Sequence, residues 1–79
     1  MITLMRTPDV LAATGMARPT LYEHMAKGLF PRPVKLGYKL AAWPSEEIRK
    51  LNAARIQGKT PDEIKALVSE MIEARKTCA

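Results

Sequence analysis

The sequence predicts a mostly α-helical domain with one small β-hairpin, and three observations carry that reading. Four segments have helical apolar spacing and start or stop at Gly, Pro or a capping residue. Between the second and third, prolines at 31, 33 and 44 bracket a stretch that alternates apolar and basic residues. The length, 79 residues, allows one small domain with a small core.

Thr7-Pro8-Asp9 opens the first helix, with the Thr7 hydroxyl as cap, Pro8 at the first helical position and an acid in the first turn. Val10, Leu11 and Ala13 follow, and Gly15 closes about two turns. Met16 and Ala17 separate it from a second helix, roughly Pro19 to Lys27, which ends at Gly28. Two short helices joined by a Gly-containing turn describe a helix-turn-helix. At about 100° per residue, Leu21 and Met25 share the core side of the second helix with Gly28. His24 and Arg18 flank them, while Pro19, Thr20, Glu23 and Lys27 lie opposite and Tyr22 sits at the boundary.

Val34-Lys35-Leu36 reads as a half-buried strand, Gly37-Tyr38-Lys39 as a turn and Leu40 to Trp43 as the return strand, ended by Pro44. Ser45 caps a third helix with Glu46 and Glu47 in its first turn, and Ile48, Leu51 and Ile56 as apolar contacts before Gly58. Thr60-Pro61-Asp62-Glu63 is a capping box that opens a fourth helix to about Lys76. Its stripe of Ile64, Leu67, Val68, Met71 and Ile72 is amphipathic. Helix-turn-helix, hairpin, helix is the order of a winged helix-turn-helix over residues 1–58. Residues 59–79 then form a C-terminal amphipathic helix packed on it or extending from it.

Charge suggests the partner. Residues 1–44 carry six basic side chains against two acidic ones, a net of +4; residues 45–79 carry seven against six, a net of +1. A positive field concentrated on the helix-turn-helix and hairpin suits a polyanion, here double-stranded DNA. One Cys and one His exclude an internal disulfide framework and a zinc site. With no nucleophile–base pair, paired acids or metal cluster, an enzyme, a cofactor and a small-molecule substrate are not expected. No apolar run exceeds four residues, and Met1-Ile2-Thr3 reads as the start of a mature cytosolic protein. A cytoplasmic, nucleoid-associated protein with no membrane partner is the expectation.

The candidate DNA contacts on the second helix are Arg18 beside its N-terminus, Thr20, Tyr22, Glu23 and Lys27. Glu23 has three open readings: accepting from cytosine N4, pairing with Lys27, or plain solvation. On the wing they are Arg32, Lys35, Tyr38 and Lys39, Arg32 being either a phosphate clamp or plain surface. Trp43 is the core anchor of the hairpin, His24 a partly buried flank, and Cys78 has no assigned role. On the fourth helix, Leu67, Val68, Met71 and Ile72 either enlarge the core or face a partner. The second choice gives the alternative function, a protein-interaction adaptor that binds a recombinase or another partner.

Thr14-Gly15-Met16-Ala17-Arg18-Pro19-Thr20-Leu21-Tyr22, Gly28-Leu29-Phe30-Pro31, Pro33-Val34-Lys35-Leu36-Gly37 and Trp43 resemble the AlpA family of small phage-type regulators. That family is related to excisionases and to the DNA-binding domains of the MerR class, and the resemblance covers about residues 4–55. It implies regulation of integrase or prophage genes, or action as a recombination directionality factor. An integrase, or another copy of the chain on DNA, would then be a further partner. By position, Arg18, Thr20 and Tyr22 fall on the family's recognition-helix contacts and Trp43 on its hairpin-to-helix anchor. Three residues depart from the pattern: Ala17 replaces a capping Ser, Glu23 stands where a basic residue is common, and Lys39 replaces the wing Arg.

Overall fold

The computed structural model describes residues 3–76; Met1 and Ile2, and Cys78 with its neighbours, lie outside the described residues. Four helices and three short strands follow one another as β1 (Leu4–Met5), α1 (Thr7–Thr14), α2 (Arg18–Ala26), β2 (Val34–Gly37), β3 (Leu40–Pro44), α3 (Ser45–Ile56) and α4 (Pro61–Lys76). The strands form an antiparallel sheet in the order β1-β3-β2. The fold is therefore mostly α with a β-hairpin wing, to which β1 adds a short edge strand.

β1 is the element that local pattern does not announce. Its partners are 40 and 38 residues away, Leu4 opposite Pro44 and Met5 opposite Trp43. Next to this pairing the Ser45 N–H donates to the Thr3 carbonyl at 2.7 Å, and the Thr3 N–H donates to Ser45 Oγ at 3.0 Å. Ser45 is consequently not the cap of α3. Pro44 is, in the extended conformation it already holds as the last residue of β3. The same displacement occurs at α1, where Arg6 leaves β1 extended and its carbonyl accepts from Val10 N–H, so Thr7 lies inside the helix. Where a strand runs straight into a helix, the last extended residue occupies the capping position and no side-chain oxygen is used.

α2 starts at Arg18 from Ala17, with no side-chain cap and with Pro19 in the first turn. It stops at Gly28, whose φ of 77° lets the Leu29 N–H reach back to the His24 carbonyl (2.8 Å) and its own N–H to Met25 (3.2 Å). α4 starts with the reciprocal capping box: Glu63 N–H donates to Thr60 Oγ1 and Thr60 N–H to Glu63 Oε1.

One core gathers Val10 from α1, Leu21 from α2, Phe30, Trp43 from β3, Ile48 and Leu51 from α3, and Ile64, Val68 and Met71 from α4. Ile56 is not part of it and stands 86% exposed. It lies about 140° around α3 from Leu51, on the solvent side. Trp43 packs edge-on against Phe30 (ring centroids 6.0 Å apart, 72° between planes) and donates its Nε1–H to the Pro31 carbonyl at 2.8 Å. That bond ties the segment between α2 and β2 to the middle strand, and so sets where the hairpin leaves the helices.

Candidate nucleic-acid interface

α1 and α2 form a helix-turn-helix with a three-residue turn, 15–17, and Leu21 fixes α2 to the core. The outward residues of α2 are Arg18, Pro19, Tyr22 and Glu23, with Ala26 and Lys27 at its end; Thr20 is half-buried. Arg18 occupies the first helical position, beside backbone N–H groups that no side chain caps. Glu23 and Lys27 are joined, Nζ to Oε1 at 2.7 Å, both side chains well exposed. This hydrogen bond and the lysine charge lower the Glu23 pKa. Of the three readings of Glu23, the free protein thus displays the pairing with Lys27.

The wing carries Lys35 on β2, and Tyr38 and Lys39 in the two-residue turn between β2 and β3. All three are exposed, and Lys39 Nζ lies 5.3 Å from the centre of the Tyr38 ring. Lys39 has a φ of 59°, the left-handed conformation that a tight hairpin turn demands. Arg32 is exposed between α2 and β2, next to the buried Pro31.

On α4, Val68 and Met71 are buried in the core, and Leu67 and Ile72 are half-buried against it. Most of the apolar stripe is thus already covered by the domain itself.

Ion pairing is uneven along the chain, and in the first half Lys27 alone has a carboxylate partner among the described residues. Arg6, Arg18, Arg32, Lys35 and Lys39 are exposed, and none has a carboxylate within ion-pair distance among the described residues. In the second half Arg49 pairs with Glu46, Lys59 with Glu63, Arg75 with Glu47 and Lys76 with Glu73, while Lys50, Arg55 and Lys65 have no ion pair among the described residues. Arg6 belongs with the unpaired cations although no motif singles it out; its place at the start of α1 follows from the β1 pairing.

Residues 3–56, from β1 to the end of α3, match the family described as Prophage CP4-57 regulatory protein (AlpA). The chain belongs to the AlpA family. It is a member of a group of phage regulatory proteins, and the match encloses every element of the helix-turn-helix and wing. A similar protein is Uncharacterized protein ORF88 of Enterobacteria phage P4, 42% identical over 55 residues, which is 70% of this chain. The match spans 62% of that relative's length. No solved structure matches this AlpA-family chain.

Two further side chains link α2 to α3. Arg55 Nη2 lies 3.1 Å from His24 Nδ1, and Arg55 Nη1 donates to Met16 Sδ at 3.7 Å. Burial first, and then the Arg55 charge, lower the His24 pKa below its usual 6.5. Spacing along the chain could place His24 at the flank but not find its partner, 31 residues on. No helix among the described residues is long and apolar enough to cross a membrane.

Proposed function

We propose that this AlpA-family chain binds double-stranded DNA sequence-specifically, as a small phage or mobile-element regulator or excisionase in the bacterial cytoplasm. The observation that supports this most is the balance of cations among the described residues: before residue 45 only Lys27 is ion-paired, whereas four of the seven cations after it are, the exceptions being Lys50, Arg55 and Lys65. An unpaired surface cation can exchange its counterions for a phosphate at no cost in broken ion pairs.

In this reading α2 enters the major groove. Arg18 and the uncapped N–H groups hold a phosphate, which sets the register. Thr20, Tyr22, Glu23 and Lys27 face the bases. The Glu23–Lys27 pair suits one base step, with Lys27 donating to guanine O6 or N7 and Glu23 accepting from cytosine N4. Lys35, Tyr38, Lys39 and Arg32 hold a neighbouring phosphate strand through the wing. An integrase or a second copy of the chain on DNA would be a further partner. The adaptor reading has less support, because Val68 and Met71 of the proposed partner face lie in the core.

The test is selection of bound sequences from a random duplex pool, followed by titration of the selected duplex and a scrambled one at several salt concentrations. A tighter selected duplex and a steep salt slope are expected. Equal affinity for both duplexes would remove the sequence-specific reading.

A further inference from the structure

We propose that Arg55 is a positioning residue for the reading helix and acts through the neutral form of His24. The proposal rests on the DNA reading above. A guanidinium carries only N–H donors, so the nitrogen facing it at 3.1 Å, His24 Nδ1, presents a lone pair and the ring proton resides on Nε2. The second arm of the same planar group reaches Met16, in the turn before α2, while His24 lies in the last turn of α2. One rigid fork on α3 therefore holds both the approach to α2 and its far end.

The scale of the effect follows from the helix length. α2 has 9 residues. At 1.5 Å per residue it is about 13 Å long, so a tilt of about 10° about one end moves the other by about 2 Å. Base-edge hydrogen bonds tolerate only a few tenths of an ångström. Leu21 and Met25 hold one face of α2 to the core, with Met16 and Leu29 packed beside its two ends, but apolar contacts are non-directional and set its tilt only loosely. Arg55 adds directional polar contacts near both ends.

The fork is sensitive to a proton. His24 lines a shallow hollow with Leu29, Arg55, Lys59, Pro61 and Ile64. The charged groups around it are Arg55 from α3, Lys59 before α4, and Glu23 and Lys27 on its own helix. Glu23 is already engaged by Lys27. A protonated His24 would set N–H against N–H and add a cation beside Arg55, which breaks the fork. Acid therefore lowers discrimination between sequences while adding positive charge that favours any DNA.

The experiment measures, on the full chain, the ratio of affinities for the pool-selected duplex and a scrambled duplex at about pH 7.5 and about pH 5.5. Arg55→Met should lower the ratio about tenfold at the higher pH, with little change on the scrambled duplex. Arg55→Lys, lacking the planar fork, should not restore it. His24→Gln offers Arg55 an amide oxygen that cannot take up a proton. It should keep the wild-type ratio within about twofold and lose its pH dependence. A folded Arg55→Met variant with the wild-type ratio, or His24→Gln with the wild-type pH dependence, overturns the proposal. A DNA-free arm separates the two readings: in an NMR titration the Met16 and Arg18 amides should follow His24 in the wild type and not in His24→Gln. If no duplex is bound, the DNA reading falls and the fork is judged on that titration alone, where amides that ignore His24 overturn it.

Discussion

Glu47 in the first turn of α3 and Arg75 in the last turn of α4 meet through two hydrogen bonds, Nε to Oε2 at 2.7 Å and Nη2 to Oε1 at 2.6 Å. Glu47 is the one buried charged residue among those described. The pair staples α4 across α3 over the contact of Met71 and Val68 with the core. Breaking such a pair leaves a buried charge alone, so Arg75→Ala should lower the unfolding free energy by about 2–4 kcal/mol. A paired replacement, Glu47→Leu with Arg75→Met, should recover most of the loss. Urea denaturation followed by circular dichroism reads both. A loss below about 0.5 kcal/mol for Arg75→Ala would mean that the staple holds nothing. Because α4 completes the core, truncation at Gly58 is expected to unfold the domain, and point variants are the sounder probe of DNA binding.

Trp43 has two separable roles, volume and a donor. Trp43→Phe keeps most of the volume but leaves the Pro31 carbonyl without its partner, at a cost of about 1–3 kcal/mol. Trp43→Ala also empties the space beside Phe30 and should cost about 3–5 kcal/mol. Thermal melts distinguish the two; a Trp43→Phe melt equal to that of the wild type would show that the indole N–H contributes nothing.

On DNA the cations should divide as they do in the free protein. Thr20→Ala should weaken the selected duplex more than the scrambled one, Arg18→Ala should weaken both alike, and neither should change the melt. Lys35→Ala should weaken both alike and reduce the salt slope by about 1. Lys76→Ala, whose lysine is already paired with Glu73, is the control and should change neither. A control that loses as much slope as Lys35→Ala would remove the basis for placing the interface on the wing.

Much of this architecture is legible because stop and start signals are local. Gly15, Gly28 and Gly58 adopt positive φ at three helix ends, and Thr60 with Glu63 forms its box within four residues. What the sequence hides depends on distant partners. β1 is too short to show alternation and exists because β3 offers it an edge. That pairing in turn moved both expected caps by one residue, from Thr7 to Arg6 and from Ser45 to Pro44. At the candidate site the Glu23–Lys27 pair follows from helical spacing, and Lys35 and Lys39 follow from the alternation and turn of the hairpin. The Arg55 fork joins residues 31 and 39 positions apart, beyond any periodic signal.

Stability should depend on pH in two separate windows. The folded-state pKa of His24 is lowered from 6.5, so the unfolded chain takes up the proton first. The stability tied to neutral His24 is complete above about pH 6.5 and is lost as pH falls through the lower folded value. Glu63 is lowered from 4.5 by its hydrogen bonds with Thr60, so its contribution is complete above about 4.5 and lost only in more acid solution. Melting temperature against pH should therefore fall in two steps. His24→Gln should erase the upper step alone, and Thr60→Ala should reduce the lower one. An upper step that survives in His24→Gln would assign it to another group.

At the wing tip, conformation and charge make opposite demands on residue 39. A left-handed φ costs an L-residue about 1–2 kcal/mol, which glycine escapes. Against that relief, Lys39→Gly gives up an exposed contact with the Tyr38 ring, about 0.5 kcal/mol. The melt of Lys39→Gly should therefore be unchanged or raised, while β-branched Lys39→Val lowers it. DNA binding should order the variants differently. Lys39→Gly and Lys39→Val both lose one phosphate contact and about 1 in salt slope, whereas Lys39→Arg keeps the contact and tightens it through its planar fork. If Lys39→Gly instead bound DNA like the wild type, the lysine would be there for the turn alone, and the wing would have to reach phosphate through Lys35.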